Sequence, residues 1–116
     1  MMSKYYHGTS YSNLLKIIED GKIKTSIEGI VYLAKTKEEA FRFVALRYMT
    51  EDIAVIELEL NESKIIETFD HSQKFFKAKA FGYEGEVDIE CATNCWKYPI
   101  EGRCNIWNLK IYLKEK

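Results

Sequence analysis

Apolar and polar positions alternate along this chain with two distinct periods, and the places where the period changes mark out its elements. Lys4 to His7 reads as a short strand that stops at Gly8. Tyr11, Leu14, Leu15 and Ile18 then recur at the spacing of one helical face, with Ser10 placed to cap the amino end and Gly21 placed to end the helix. An extended piece around Ile23 and a polar link from Ser26 to Gly29 follow. Ile30 to Ala34 is too short for a helix and rich in β-branched and aromatic residues, so it reads as a strand. Thr36 and Glu39 form a T-x-x-E capping box, in which each side chain satisfies the other residue's backbone N–H. The buried stripe of the second helix behind it is Phe41, Val44, Ala45 and Tyr48.

Ile53 to Leu60 has the period of a half-buried strand, with Ala54, Ile56, Leu58 and Leu60 inward and Val55, Glu57 and Glu59 outward. A further strand is expected near Ile65, and Asp70 to Ala80 reads as loop with some helix. Glu86 to Ala92 alternates again, with Val87, Ile89 and Cys91 opposing Glu86, Asp88 and Glu90. Asn94 to Gly102, which holds Pro99, reads as a connection. Cys104 to Leu113 closes the chain as a strand with Trp107, Leu109, Ile111 and Leu113 inward. This order of strands and helices predicts a single α+β domain with helices packed on antiparallel sheets.

At 116 residues and 47% hydrophobic content the chain has enough apolar surface for one core. Its 17 basic and 18 acidic residues give a net charge of −1, so there is no cationic footprint of a non-specific nucleic-acid binder. The amino terminus lacks a signal-peptide pattern, and no apolar run approaches the ~18 residues of a membrane span. A soluble, cytoplasmic protein is expected. Cys91, Cys95 and Cys104 are read as reduced thiols. With His71 they could supply four metal ligands, but the C-x3-C-x8-C spacing matches no usual zinc knuckle.

Three stretches remain as candidate chemistry: YYHGTS at the end of the first strand, GIVYLA, and GYEGEVDIE before a late strand. Taken singly, each has an ordinary reading as a turn histidine, a core tyrosine and a solvated acidic face. In this order, over roughly residues 4 to 66, the chain resembles the ADP-ribosyltransferase family of the diphtheria-toxin and poly(ADP-ribose) polymerase type. The resemblance rests on YYHGTSYSNLLKIIEDG, GIVYLAKTKEEAFRFVA and the V-x-V-x-L-like IAVIELEL, and on Phe43 standing eleven residues after Tyr32.

That resemblance implies the family's fold, two packed and mostly antiparallel sheets with flanking helices, and NAD⁺ as substrate. It implies that His7 bonds a ribose hydroxyl, that the Gly8 backbone holds the nicotinamide carboxamide, that Thr9 beside it is cofactor-binding, and that Tyr32 and Phe43 sandwich the ring. Imidazole offers a donor and an acceptor, a glycine admits close approach, and aromatic faces suit a flat pyridinium cation. The catalytic set is then His7, Tyr32 and an acid opening a late strand, Glu86 with Glu84 as second choice. If that strand begins at Tyr83, Glu84, Glu86, Asp88 and Glu90 all share one face. The implied activity is transfer of ADP-ribose to a macromolecular acceptor, a protein before a nucleic acid, with release of nicotinamide. By analogy a stand-alone enzyme of this size suits a toxin or an effector against host defence. An NAD⁺ glycohydrolase and a non-catalytic nucleotide-binding module are the alternatives. A tRNA 2′-phosphotransferase is disfavoured because Arg42, Arg47 and Arg103 lie outside the matching motifs.

Overall fold

Gly8 does not end the first strand. In the computed structural model, which describes residues 1–25, 29–45, 47–68, 80–101 and 107–108 (of 68, 80, 107 and 108 the main chain only), β1 spans Met2–Ser10. The glycine is explained instead by what lies over it. A Cβ added there would stand 2.4 Å from the Ala40 carbonyl oxygen and 3.0 Å from Val44 Cγ2, so the second helix packs directly on the strand backbone.

Helix α1 (Tyr11–Asp20) is capped as its sequence predicts. The Ser10 hydroxyl accepts the Asn13 N–H at 3.2 Å, and Gly21 takes the left-handed conformation at φ 79° while donating to the Ile17 carbonyl. Of its predicted face, Leu14 is buried and Tyr11 and Ile18 pack half-buried against the same core, but Leu15 is 43% exposed and Ile17 is buried instead. After β2 (Lys22–Ile23) and β3 (Ile30–Leu33) comes α2 (Lys37–Ala45). Thr36 Oγ1 accepts the Glu39 N–H at 3.1 Å as predicted, but the Glu39 carboxylate accepts from the Thr36 hydroxyl rather than from its backbone. Ala40 is the buried residue of α2; Phe41, Phe43, Val44 and Ala45 pack half-buried around it, with Tyr48 beyond the helix end.

The next strand, β4 (Ile53–Asn61), is buried on both faces. Ala54, Ile56, Leu58 and Leu60 enter one core with Tyr5, Leu14, Ile17, Val31 and Leu33, as predicted; Ile53 and Val55 enter a second core with Ala34, Ala40 and Tyr98. The predicted solvent face is therefore covered, because α2 packs against it, and Glu57 is only 8% exposed. A 3₁₀ turn at Glu62–Lys64 leads to β5 (Ile65–Thr68).

The late part of the chain departs most from expectation. Residues 70–79, 102–106 and 109–116, with the link 26–28, lie outside the described residues, so the readings placed there, including His71, Arg103, Cys104 and most of the closing strand, do too. Ala80 opens β6 (Ala80–Glu84), which Gly85 ends at φ 104°. The predicted strand Glu86 to Ala92 is only β7 (Val87–Asp88), followed by a 3₁₀ turn at Ile89–Cys91. The Asp88 side chain accepts the Glu90 N–H at 2.9 Å and so starts that turn. The predicted connection from Asn94 is instead strand, β8 (Ala92–Tyr98), and β9 (Trp107–Asn108) pairs with it.

All strand pairings are antiparallel. One sheet runs β1-β4-β8-β9, another β3-β6-β5, and β2 pairs with β7. The larger core lies between the two sheets and α1, and the smaller under α2. The architecture is α+β with two helices and several antiparallel sheets among the described residues. Among the described residues no helix is long and apolar enough to cross a membrane.

Candidate functional site

Among the described residues the two main sheets meet edge to edge at one bridge, beyond which no further main-chain pair joins them. Tyr6 N–H donates to the Ala34 carbonyl at 2.9 Å, and Ala34 N–H donates to the Tyr6 carbonyl at 2.8 Å. In an antiparallel ladder the next bonded pair on these edges would be Gly8 with Tyr32. A side chain stands in for it: His7 Nδ1 donates to the Tyr32 carbonyl at 2.8 Å. A carbonyl only accepts, so the proton sits on Nδ1, and in the neutral ring Nε2 keeps a lone pair. Burial holds His7 below the ordinary imidazole value of 6.5, although the bond to Tyr32 works the other way. The ring is therefore neutral at pH 7, with Nε2 as an acceptor.

The same alternation sets the direction of the Gly8 backbone. Gly8 lies opposite Val55 on β4 and two residues from Tyr6, so its N–H and C=O turn away from β4, into the parting. The site thus offers a main-chain donor and acceptor from Gly8 beside the imidazole acceptor of His7. The missing side chain of Gly8 serves α2 and not ligand approach, since α2 fills that space. Thr9 is buried, on the Tyr5 side of the strand.

Tyr32 lies on the other face of β3 from the buried Val31 and Leu33, together with Ala34, which packs in the core under α2. Phe43 belongs to that same core, so Tyr32 and Phe43 are on one side of the sheets, both half-buried.

The acids of GYEGEVDIE do not share one face. Glu84 pairs with Ile30 across β6 and β3, on the face that carries Tyr32. Glu86 lies beyond Gly85, where its carboxylate meets Lys22 Nζ at 3.1 Å, both side chains half-exposed. Asp88 caps the 3₁₀ turn to which Glu90 belongs. Among the described residues no group of His, Cys, Asp or Glu is arranged to hold a metal ion. Cys91 is half-buried and Cys95 buried, and burial pushes the Cys95 thiol up to about 12.

Sequence reasoning passed over Glu57, Tyr6 and Thr93. The Tyr6 hydroxyl donates to Glu57 Oε2 at 2.9 Å and the Thr93 hydroxyl to Oε1 at 2.7 Å, with Lys4 Nζ 3.6 Å from Oε1. The one sequence signal was an acid between Ile56 and Leu58 in an otherwise apolar strand.

No protein-family model matches the chain, and no curated protein does. Among solved structures it is similar to the X-ray crystal structure of protein CC0527 from Caulobacter crescentus, a structural genomics target, with a TM-score of 0.65 over 97% of this chain and 99% of that one. At 12% identity the likeness is one of fold.

Proposed function

We propose that the chain is an ADP-ribosyltransferase with an ADP-ribosyltransferase-like fold, moving ADP-ribose from NAD⁺ to a macromolecular acceptor, a protein before a nucleic acid, and releasing nicotinamide. The observation that carries this reading is the His7 bond to the Tyr32 carbonyl at the level where the sheets part. It leaves Nε2 as an acceptor for a ribose hydroxyl, and the adjoining Gly8 N–H and C=O match the acceptor and donor of a carboxamide. Tyr32 and Phe43, on one side of the sheets, supply aromatic faces for the pyridinium ring. The glycosidic bond breaks with positive charge developing on the ribose, and a carboxylate stabilises that charge.

Two acids are candidates for the last role. Glu86 follows Gly85 as the resemblance requires, but an ion pair with Lys22 engages it. Glu84 shares the Tyr32 face, and this favours it. The protein is proposed to act in the cytoplasm, as a toxin or an effector.

Incubation of the protein with NAD⁺ labelled in its ADP-ribose part, together with cell lysate, tests the reading. The expected result is free nicotinamide with a labelled macromolecule. Nicotinamide with free ADP-ribose and no labelled macromolecule would make the protein a glycohydrolase, and release of neither would refute the enzyme reading.

A further inference from the structure

A buried carboxylate is costly in the middle of a sheet, and an apolar residue of similar size is often no less stable there. Glu57 nevertheless occupies the centre of β4, and its partners come from three places on the same sheet. Tyr6 and Lys4 lie on β1, directly opposite Glu57 and two residues away. Thr93 lies on β8, where the ladder slips: Glu57 pairs with Asn94 but Leu58 pairs with Ala92, so Thr93 is the extra residue of a β-bulge. The bulge turns the Thr93 hydroxyl onto Glu57, 2.7 Å from the carboxylate and 3.5 Å from its backbone carbonyl. Burial pushes the Glu57 carboxyl up, but the Thr93 and Tyr6 hydroxyls and the Lys4 ammonium together hold it below the ordinary carboxylate value. The Tyr6 hydroxyl, partly buried, bonded to Glu57 and facing the charges of Glu57 and Glu38, is raised to about 12 and stays a donor.

The level of this network matters more than its strength. Tyr6 makes the bridge between the two sheets, and His7 and Gly8 follow it at once, paired with β4 on one edge and, among the described residues, with no strand on the other. Across that second edge the His7 bond to Tyr32 takes the place of a ladder, so the main-chain pairing that fixes this segment is the one with β4. We propose that Glu57 is a positioning residue, which through Tyr6 and Thr93 locks β1 to β4 and β8 at the last rung before the sheets part and so keeps His7 and Gly8 in place. This rests on the reading of His7 and Gly8 as ligand-binding groups.

The test uses Tyr6→Phe and Glu57→Gln, with Val87→Ala as a variant that loses core packing elsewhere. Two readouts are taken on folded protein: the ¹⁵N signals of the His7 ring, and the Kd for NAD⁺. Wild type and Val87→Ala should show the proton on Nδ1 and similar Kd values. Tyr6→Phe and Glu57→Gln should show His7 averaging between tautomers and a Kd raised about tenfold. Ring signals unchanged in both variants, or disturbed equally in Val87→Ala, would overturn the proposal. If wild type fails to bind NAD⁺, the functional reading falls, and the ring signals still decide the positioning role. If Glu57→Gln does not fold, Tyr6→Phe, which keeps the carboxylate and its Thr93 and Lys4 partners, decides.

Discussion

At His7 one proton links two sheets, and its environment makes a signed prediction. The folded chain holds the imidazole below its unfolded value of 6.5, so between the folded pKa and about 6.5 the unfolded chain binds more protons. Stability must then rise with pH across that window, be complete above it, and be lost as acid reaches the folded pKa. Glu57 acts lower down. Its folded pKa lies below 4.5, so its contribution is present above that value and disappears as pH falls through the folded pKa. Urea unfolding at a series of pH values should therefore show a fall beginning near neutrality that His7→Gln removes, and a separate acid limb that His7→Gln leaves. A wild-type profile that is flat between pH 5 and 7 would mean that the ring is not held neutral by the fold. Of these two residues only His7 was singled out in the sequence. His7 stands beside a glycine that the sequence reads as a strand end, although the strand runs on to Ser10, whereas Glu57 occupies an alternation that places it with Val55 and Glu59, and nothing local says that a helix will cover that face.

Among the elements, α2 and β1 fit so closely that a single methyl group should separate them. Gly8→Ala puts a Cβ against a main-chain carbonyl, which cannot rotate away, so overpacking should cost about 1–3 kcal/mol, read as a lower urea midpoint. Adding Val44→Ala should not restore it, because the Ala40 carbonyl is the nearer obstacle. Full recovery would show that the helix gives way easily. The β6–β7 region carries a second test. Glu84→Gln should slow nicotinamide release by at least about a hundredfold while NAD⁺ binding holds, since a carboxylate that answers developing charge acts in the transition state. Glu86→Gln should mainly loosen its pairing with Lys22. The reverse pattern in one assay of nicotinamide release would return the role to Glu86, and two silent substitutions would leave the acids as a solvated face. The early elements were legible because each carries its own start and stop, as Ser10, Gly21 and Thr36 show. Where strands continue through changes of direction the signal failed. Gly85 at φ 104° splits one alternation into β6 and β7, and the polar Thr93, Asn94 and Lys97 hid β8, whose bulge breaks the period of two.

For the molecule as a whole, the decisive feature is that two sheets with a shared core are joined along their facing edges, among the described residues, at one bridge and one histidine. The shared core follows from apolar counts and was foreseeable. The parting was not, because it depends on which strand edges meet, and a single sequence does not record that. Such a junction gives a ligand in the gap a specific thermodynamic effect. A molecule that bonds Gly8 and His7 on one sheet and packs on Tyr32 of the other binds only when both are in register, so it binds the folded chain alone. Its contribution is RT ln(1 + [L]/Kd), about 2.7 kcal/mol at a hundredfold excess over Kd, and NAD⁺ should raise the unfolding temperature in a concentration-dependent way. Nicotinamide alone should raise it less, since it lacks the ribose proposed to bond His7. The local signature is sharper than the global one. Amide exchange at Gly8, whose N–H faces away from β4 and has no strand partner among the described residues, should slow when NAD⁺ is added, while amides of β4 in the core change only with global stability. A thermal shift without protection at Gly8 would mean that NAD⁺ binds elsewhere on the chain, and no shift at millimolar NAD⁺ would remove the nucleotide from this gap altogether.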